Sequence, residues 1–269
     1  MTDRVSCVVA NGVADVRLTR AEKMNALDAG MFEALASVGE RLKTEPGVRA
    51  VVLSGEGRAF CAGLDMASFQ VMASGAAAED NFNAGRMSEN GLTQLAQQIC
   101  WVWQEIPVPV IAAVHGAALG GGAQLALGAD IRIVAPDMKF SIMEIKWGLV
   151  PDMTGTFRLA KLVRPDIAME LATTARVLNG IEAEQMGLAT RVTSSPLDDA
   201  LAMARDIASK NPHAVRGVKE LLNAAYAGSD AATQFAHERR VVRTVIGSPN
   251  QVEAIMAGFE KRPGHFNDV

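Results

Sequence analysis

Of 269 residues, only three are cysteine, three tryptophan and one tyrosine. Cys7, Cys61 and Cys100 show no Cys-x-x-Cys spacing. An odd, scattered set of thiols argues against a disulfide framework or a zinc site and for a reducing compartment. No apolar run reaches the ~18 residues of a membrane span. The amino terminus, MTDRVSCVVA, lacks the long apolar core of a signal peptide. Neither sign of charge dominates: 26 basic and 30 acidic residues leave a net charge of -4. That balance gives no electrostatic reason to expect nucleic acid or an anionic membrane as partner. The expectation is a soluble, cytoplasmic protein.

Several catalytic signatures are also lacking. The glycine cluster of residues 116–122 is followed by Ala123-Gln124, where a phosphate loop needs lysine and then serine or threonine. The cluster does not match the dinucleotide pattern Gly-x-Gly-x-x-Gly, and no Gly-x-Ser-x-Gly elbow occurs. His115, His213, His237 and His265 lack metal-ligand spacing, so no metal is expected. Kinase, nicotinamide dehydrogenase, serine hydrolase and zinc enzyme are disfavoured.

What is present is a 49% hydrophobic chain, enough for a substantial core. Val5 to Ala10 and Val13 to Leu18 flank Asn11-Gly12, a hairpin signal. Met31, Leu35, Val38 and Leu42 recur at helical spacing, with Asp28 placed to cap the start and Pro46-Gly47 to close the segment. Ala50 to Leu53 reads as a buried strand, followed by the glycine-punctuated loop SGEGRAFCAGLDM. Residues 66–100, with Met66, Met72 and Met87, have no clear period; core filling or an adaptable apolar substrate wall both suit methionine. Pro107 and Pro109 introduce VIAAVHG, an apolar run of the kind a parallel strand shows. A triple glycine, a short helix AQLALG and a strand from Ile131 to Ala135 follow. Strand and helix alternate twice, which predicts an α/β body.

From Pro165 onward the pattern is mostly helical. Val215, Val218, Leu222 and Ala225 share one helix face. Ser248-Pro249-Asn250-Gln251 reads as a capping box ahead of Val252, Ile255, Met256 and Phe259. Such faces either cover their own core or dock on a sister subunit.

Gly120, Gly121 and Gly122 stand in an otherwise apolar stretch, VHGAALGGGAQLALGADIRI. Glycine costs roughly 1 kcal/mol against alanine inside a helix, so bare backbone is needed there. One use is close packing of the helix on the sheet. The other is approach of a ligand oxygen to the unpaired amides of a helix amino terminus. The loop AFCAGLDM also follows a strand and could offer a second N–H beside Gly63, which together would make an oxyanion hole.

Four segments, AFCAGLDM, PVIAAVHGAALGGGAQLALGADIRI, FSIMEIKWGLVPDMTGTFRL and RVLNGIEAEQMGLATRV, resemble the enoyl-CoA hydratase/isomerase family, the crotonases. The likeness runs from ADVRLTRAEKMNAL to GFEKRPGHF. It implies a spiral of ββα units over residues 1–197 and a helical trimerisation region over residues 198–269. The implied assembly is a homotrimer or a dimer of trimers. The implied substrate is an acyl-CoA thioester, with no cofactor beyond its CoA moiety.

The resemblance also implies roles. The amides of Leu64 and Gly121 would form the oxyanion hole. Family hydratases carry two glutamates; here the first position is Gln124 and the second is Glu144. Gln124 cannot exchange a proton as a carboxylate does, which counts against hydration. Asp152 follows, at a spacing similar to the dienoyl-CoA isomerase branch; the other reading of Asp152 is a cap for a helix starting near Thr154. Gln124 either orients substrate or water, or fills space. Lys23, Ala26, Ala62, Leu64, Asp65, Met66 and Gly120 would contact substrate, with Lys261 from the tail near the CoA phosphates. Asp65 and Asp130 suit turn stabilisation. The leading expectation is a double-bond shift by proton transfer through an enolate, Glu144 acting as base and Asp152 as acid. A hydratase using Gln124 and Glu144 to place water is the first alternative; a non-catalytic CoA-thioester binder is the second.

Overall fold

The structure, a computed structural model, describes residues 4–73, 85–88 and 91–269. Residues 74–84 and 89–90, inside the stretch with no clear period, lie outside the described residues, as does the side chain of Met72. The hairpin around Asn11-Gly12 forms as the dipeptide predicts: β1 (Val5–Ala10) pairs antiparallel with β2 (Val13–Leu18). Both turn residues take positive φ, 51° and 79°, which suits a two-residue hairpin turn.

β2 then pairs in parallel with β3 (Ala50–Gly55), β3 with β4 (Val110–Val114), β4 with β6 (Ile131–Val134) and β6 with β8 (Arg191–Val192), giving a six-stranded sheet. β3 and β4 are buried along their whole length, as an unbroken apolar run requires. Side-chain alternation splits them between two cores. Val51, Leu53, Val110 and Ala112 face α1 (Ala29–Leu42) and α3 (Leu95–Glu105), which contribute Phe32, Leu35 and Trp103. Ala50, Val52, Ile111 and Ala113 face Ala200, Ala204 and Ala208 of α8 (Pro196–Ala208). The division implied between residues 197 and 198 falls in the first turn of this helix.

A second, smaller sheet joins β5 (Ala117–Leu119) in parallel with β7 (Lys139–Ser141). Cys61 bridges to Ala118 on one side and Leu178 to Phe140 on the other. The chain therefore passes three times from large sheet to small sheet to helix: β3, Cys61, α2 (Met66–Ala73); β4, β5, α4 (Gly121–Gly128); β6, β7, α5 (Gly155–Leu162). This is the ββα winding implied by the family resemblance. Each turn leaves the small sheet at the same end, and those three exits hold the site.

α6 (Pro165–Thr174) and α7 (Gly180–Gln185) follow, and α9 (Pro212–Tyr226), α10 (Ala231–Val245) and α11 (Pro249–Glu260) complete the chain. Asp28 caps α1 through Met31 N–H, 2.8 Å away. Ser248 caps α11 likewise, but the Gln251 side chain reaches Gly247 N–H rather than Ser248, so the expected box is only half closed. The apolar face expected on α9 turns outward. Val218 and Leu222 are exposed, and the inward face carries Gly217 and Lys219 instead.

Candidate active site

The first exit from the small sheet is Cys61-Ala62-Gly63-Leu64. Leu27 N–H donates to Gly63 O and Asp65 N–H to Leu27 O. In such a parallel bridge, successive amides alternate sides, so the Leu64 N–H faces away from Leu27. The second exit is Leu119-Gly120-Gly121. Gly120 N–H is held by Ser141 O at 2.9 Å, while Gly121 opens α4 at its positive pole. The amides of Leu64 and Gly121 have no acceptor among the described residues. They are neighbours: a methyl built on Gly63 would lie 3.6 Å from the Gly121 nitrogen and 2.5 Å from Leu119 O. Only glycine fits position 63, which also has φ +86°.

The three consecutive glycines divide their work. Gly120 has φ +52° and faces Glu144, whose Oε1 would lie 3.5 Å from an added methyl. Gly121 presents its amide. Gly122 is a packing residue, since a methyl there would meet Cys61 O at 2.2 Å. Both readings of the cluster therefore hold, at different glycines.

The third exit, after Ser141, delivers Glu144 on the short 3₁₀ turn Glu144–Trp147. The residue is 8% exposed. Gln124 Nε2 donates to Oε1 at 2.6 Å, and Oε2 has no partner among the described residues. Burial pushes the Glu144 pKa up and the nearby Asp152 charge adds to this, while hydrogen bonds from its own backbone and from Gln124 oppose it. Asp152 stands at the more open rim of the same cavity, and its pKa is also raised by burial. It does not cap α5, whose cap position is Thr154 without any side-chain cap bond.

These groups line a cavity of about 580 Å³, within the usual span for small-molecule sites. Lys23, Ala26, Ala62, Leu64, Asp65, Met66, Gly120 and Gly121, named by the family resemblance, line it. Asp65 also has a structural task. It accepts from Arg20 and from Ala67 N–H, fixing the loop that carries Leu64. Arg20 donates to Ala26 O as well, so one guanidinium ties both sides of this wall. Arg20 and Trp147 stand in segments that carry the family resemblance but had no expected role, and Phe69 had no signal at all; the Phe69 and Trp147 rings lie 4.6 Å apart at the cavity.

Two expected contacts are not made by this chain. Gln124 is fully buried behind Glu144 and does not line the cavity. Its Oε1 accepts from Met153 N–H and Gly155 N–H, both at 2.9 Å. Lys261 is an exposed residue ending α11, also off the cavity. The tail beyond it is anchored by Arg49, which bonds Phe266 O and Asp268. Arg49 precedes β3, whereas the cavity opens beyond the end of that strand.

A model of the enoyl-CoA hydratase/isomerase family matches residues 9–269. The chain belongs to the enoyl-CoA hydratase/isomerase family. It is therefore an acyl-CoA enzyme of mixed α/β crotonase fold. A carnitinyl-CoA dehydratase of Proteus mirabilis (strain HI4320) is 36% identical, covering 83% of this chain and 82% of the relative. The mitochondrial methylglutaconyl-CoA hydratase of Mus musculus is 31% identical, covering 95% and 79%. The crystal structure of an enoyl-CoA hydratase from Polaromonas sp. JS666 superimposes with a TM-score of 0.86 at 28% identity, over 98% of this chain and 99% of that one.

Proposed function

We propose that this family member shifts a carbon–carbon double bond of an acyl-CoA by proton transfer through an enolate. The observation that carries this reading is the pairing of Glu144 with an amide, Gln124, rather than with a second acid. Adding water across a double bond needs a group to take a proton from water and a group to supply one at C2. Moving a double bond needs only a base that releases the proton elsewhere.

The thioester oxygen would sit between the amides of Leu64 and Gly121. With a 3-enoyl-CoA, the Glu144 carboxylate takes a proton from C2. The electron pair forms the C1–C2 bond order of a dienolate, and negative charge moves to the thioester oxygen. Two amide donors at that oxygen favour the transition state, each being typically worth about 2.7–4 kcal/mol. A proton returns at C4 from Glu144 or Asp152, the double bond settles between C2 and C3, and the carbonyl reforms. No atom is gained or lost. A base with a raised pKa suits this work, because it must hold the proton between the two steps.

Lys23, at the cavity wall, would meet the CoA portion, and Met66 the acyl portion. A homotrimer or dimer of trimers would cover the apolar residues left exposed on the carboxyl-terminal helices, among them Val218, Leu222, Phe235, Ile246 and Phe259.

Purified protein is incubated with crotonyl-CoA and, separately, with 3-enoyl- and 3,5-dienoyl-CoA. Absorbance and mass are followed. A 3-enoyl- or 3,5-dienoyl-CoA should move into conjugation with no change of mass, and crotonyl-CoA should persist. Rapid gain of one water by crotonyl-CoA would favour the hydratase reading instead. Binding without turnover across the panel would favour a non-catalytic binder.

A further inference from the structure

Gln124 is a fully buried polar side chain beside the site, and its bonding is unusual. Its carbonyl oxygen gathers two backbone amides, those of Met153 and Gly155, at 2.9 Å each. Between those amides lies Thr154, a β-branched residue held at φ +66° with its hydroxyl buried and without a partner among the described residues. Such a conformation is sparsely populated and persists only where surroundings impose it. The two converging N–H bonds are what imposes it here. Asp152 immediately precedes this turn. The other end of the same amide holds Glu144 Oε1.

We infer that Gln124 is a positioning residue that sets both acids from one side chain. Its Nε2 fixes the Glu144 carboxyl through Oε1, and its own Oε1 shapes the turn that presents Asp152. Glu144 and Asp152 then keep a fixed separation. This deepens the proton-transfer reading and rests on Glu144 acting as base.

The variants Gln124→Leu and Gln124→Glu separate the two halves. Leucine removes both anchors. Glutamate keeps an acceptor for Met153 and Gly155 but replaces the donor at Glu144 with an oxygen, so the facing carboxyls must share a proton. The other charged side chains at the cavity are Glu22, Lys23, Arg58, Asp65, Lys146 and Asp152; of these, the Asp152 charge bears on Glu144.

The readout is exchange of the C2 protons of butyryl-CoA in deuterated buffer, followed by mass spectrometry. It needs a base at the oxyanion hole but no particular final product. Gln124→Leu should slow exchange on the order of 10²-fold, the cost of misplacing a reacting group. KM should stay within about threefold, because Gln124 touches no substrate. The acid limb of the pH profile should move to higher pH in Gln124→Leu, where Glu144 loses a donor that favours its charged form, and farther in Gln124→Glu. Gln124→Glu should melt near the wild-type temperature, since the turn keeps its anchor, which guards against simple misfolding.

A residue that merely fills space would lower the folded fraction and leave the limb in place; that result overturns the inference. So would unchanged exchange in Gln124→Leu, or no exchange in the wild type. If the wild type exchanges protons and responds to Gln124 as stated, yet shifts no double bond, the proposed reaction fails while this inference stands.

Discussion

Replacing Glu144 by glutamine should lower turnover about 10²–10⁴-fold, the usual contribution of a positioned proton-transfer group. The substitution is nearly isosteric, and Glu144 is buried, so the loss would be chemical. Oε1 can be replaced by an amide oxygen that still accepts from Gln124, so the local fold has a route to persist. Acyl-CoA binding, measured by titration calorimetry, should change little. The pH profile gives a second signature. Glu144 must be a carboxylate to take a proton, and burial raises its pKa. Activity should therefore fall as pH drops through that raised value, higher than for an exposed glutamate, and the residual activity of Glu144→Gln should lack this limb. Near-normal turnover in the variant would remove Glu144 from the chemistry.

Lys219→Met should be the most destabilising single change considered. Lys219 enters from α9 and is 6% exposed. Its Nζ donates to Trp103 O at 2.8 Å and Val108 O at 2.9 Å and pairs with Asp130 at 2.7 Å. Asp130 is thereby the pin between the end of α4, the start of β4 and the carboxyl-terminal helices, accepting also from Val110 N–H and Gln104. This turn role is the one its sequence setting suggested. Burial lowers the Lys219 pKa, while the Asp130 charge acts to keep it protonated. Breaking a buried pair by removing one partner costs about 3–5 kcal/mol, because the other charge is left uncompensated. Urea unfolding at fixed protein concentration should show a loss of that size. Lys210→Met breaks the exposed pair with Asp206 and should cost less than about 1 kcal/mol. Equal losses would mean that burial does not set the value of the Lys219 pair.

The two changes differ in how visible they were in the sequence. Glu144 stood in a motif, and the exits holding Leu64 and Gly121 followed apolar runs whose period and length announced strands. Glycine clusters and short β-branched runs are local signals, and the sheets they predicted formed. Gln124 announced what it could not do, but not that it would face Met153 and Gly155, because that contact depends on how two turns of the spiral stack. Nothing in its local pattern set Lys219 apart from the other charges of its helix, Arg216 and Glu220. The face rich in valine and leucine turned outward, and the lysine went in, since three acceptors from distant segments converge there. Lys261 lies off this chain's own cavity for the same reason in reverse: its motif said nothing about where Arg49 would anchor the tail. Long-range polar contacts leave no periodicity.

The central claim is that the unpaired amides of Leu64 and Gly121 grip one thioester oxygen. An infrared difference spectrum of bound acyl-CoA carrying ¹³C at the thioester carbonyl reads that grip directly. Two fixed amide donors, one at a helix amino terminus, should draw electron density toward oxygen and lower the carbonyl stretching frequency below its value in water. A frequency equal to or above that in water would contradict the account.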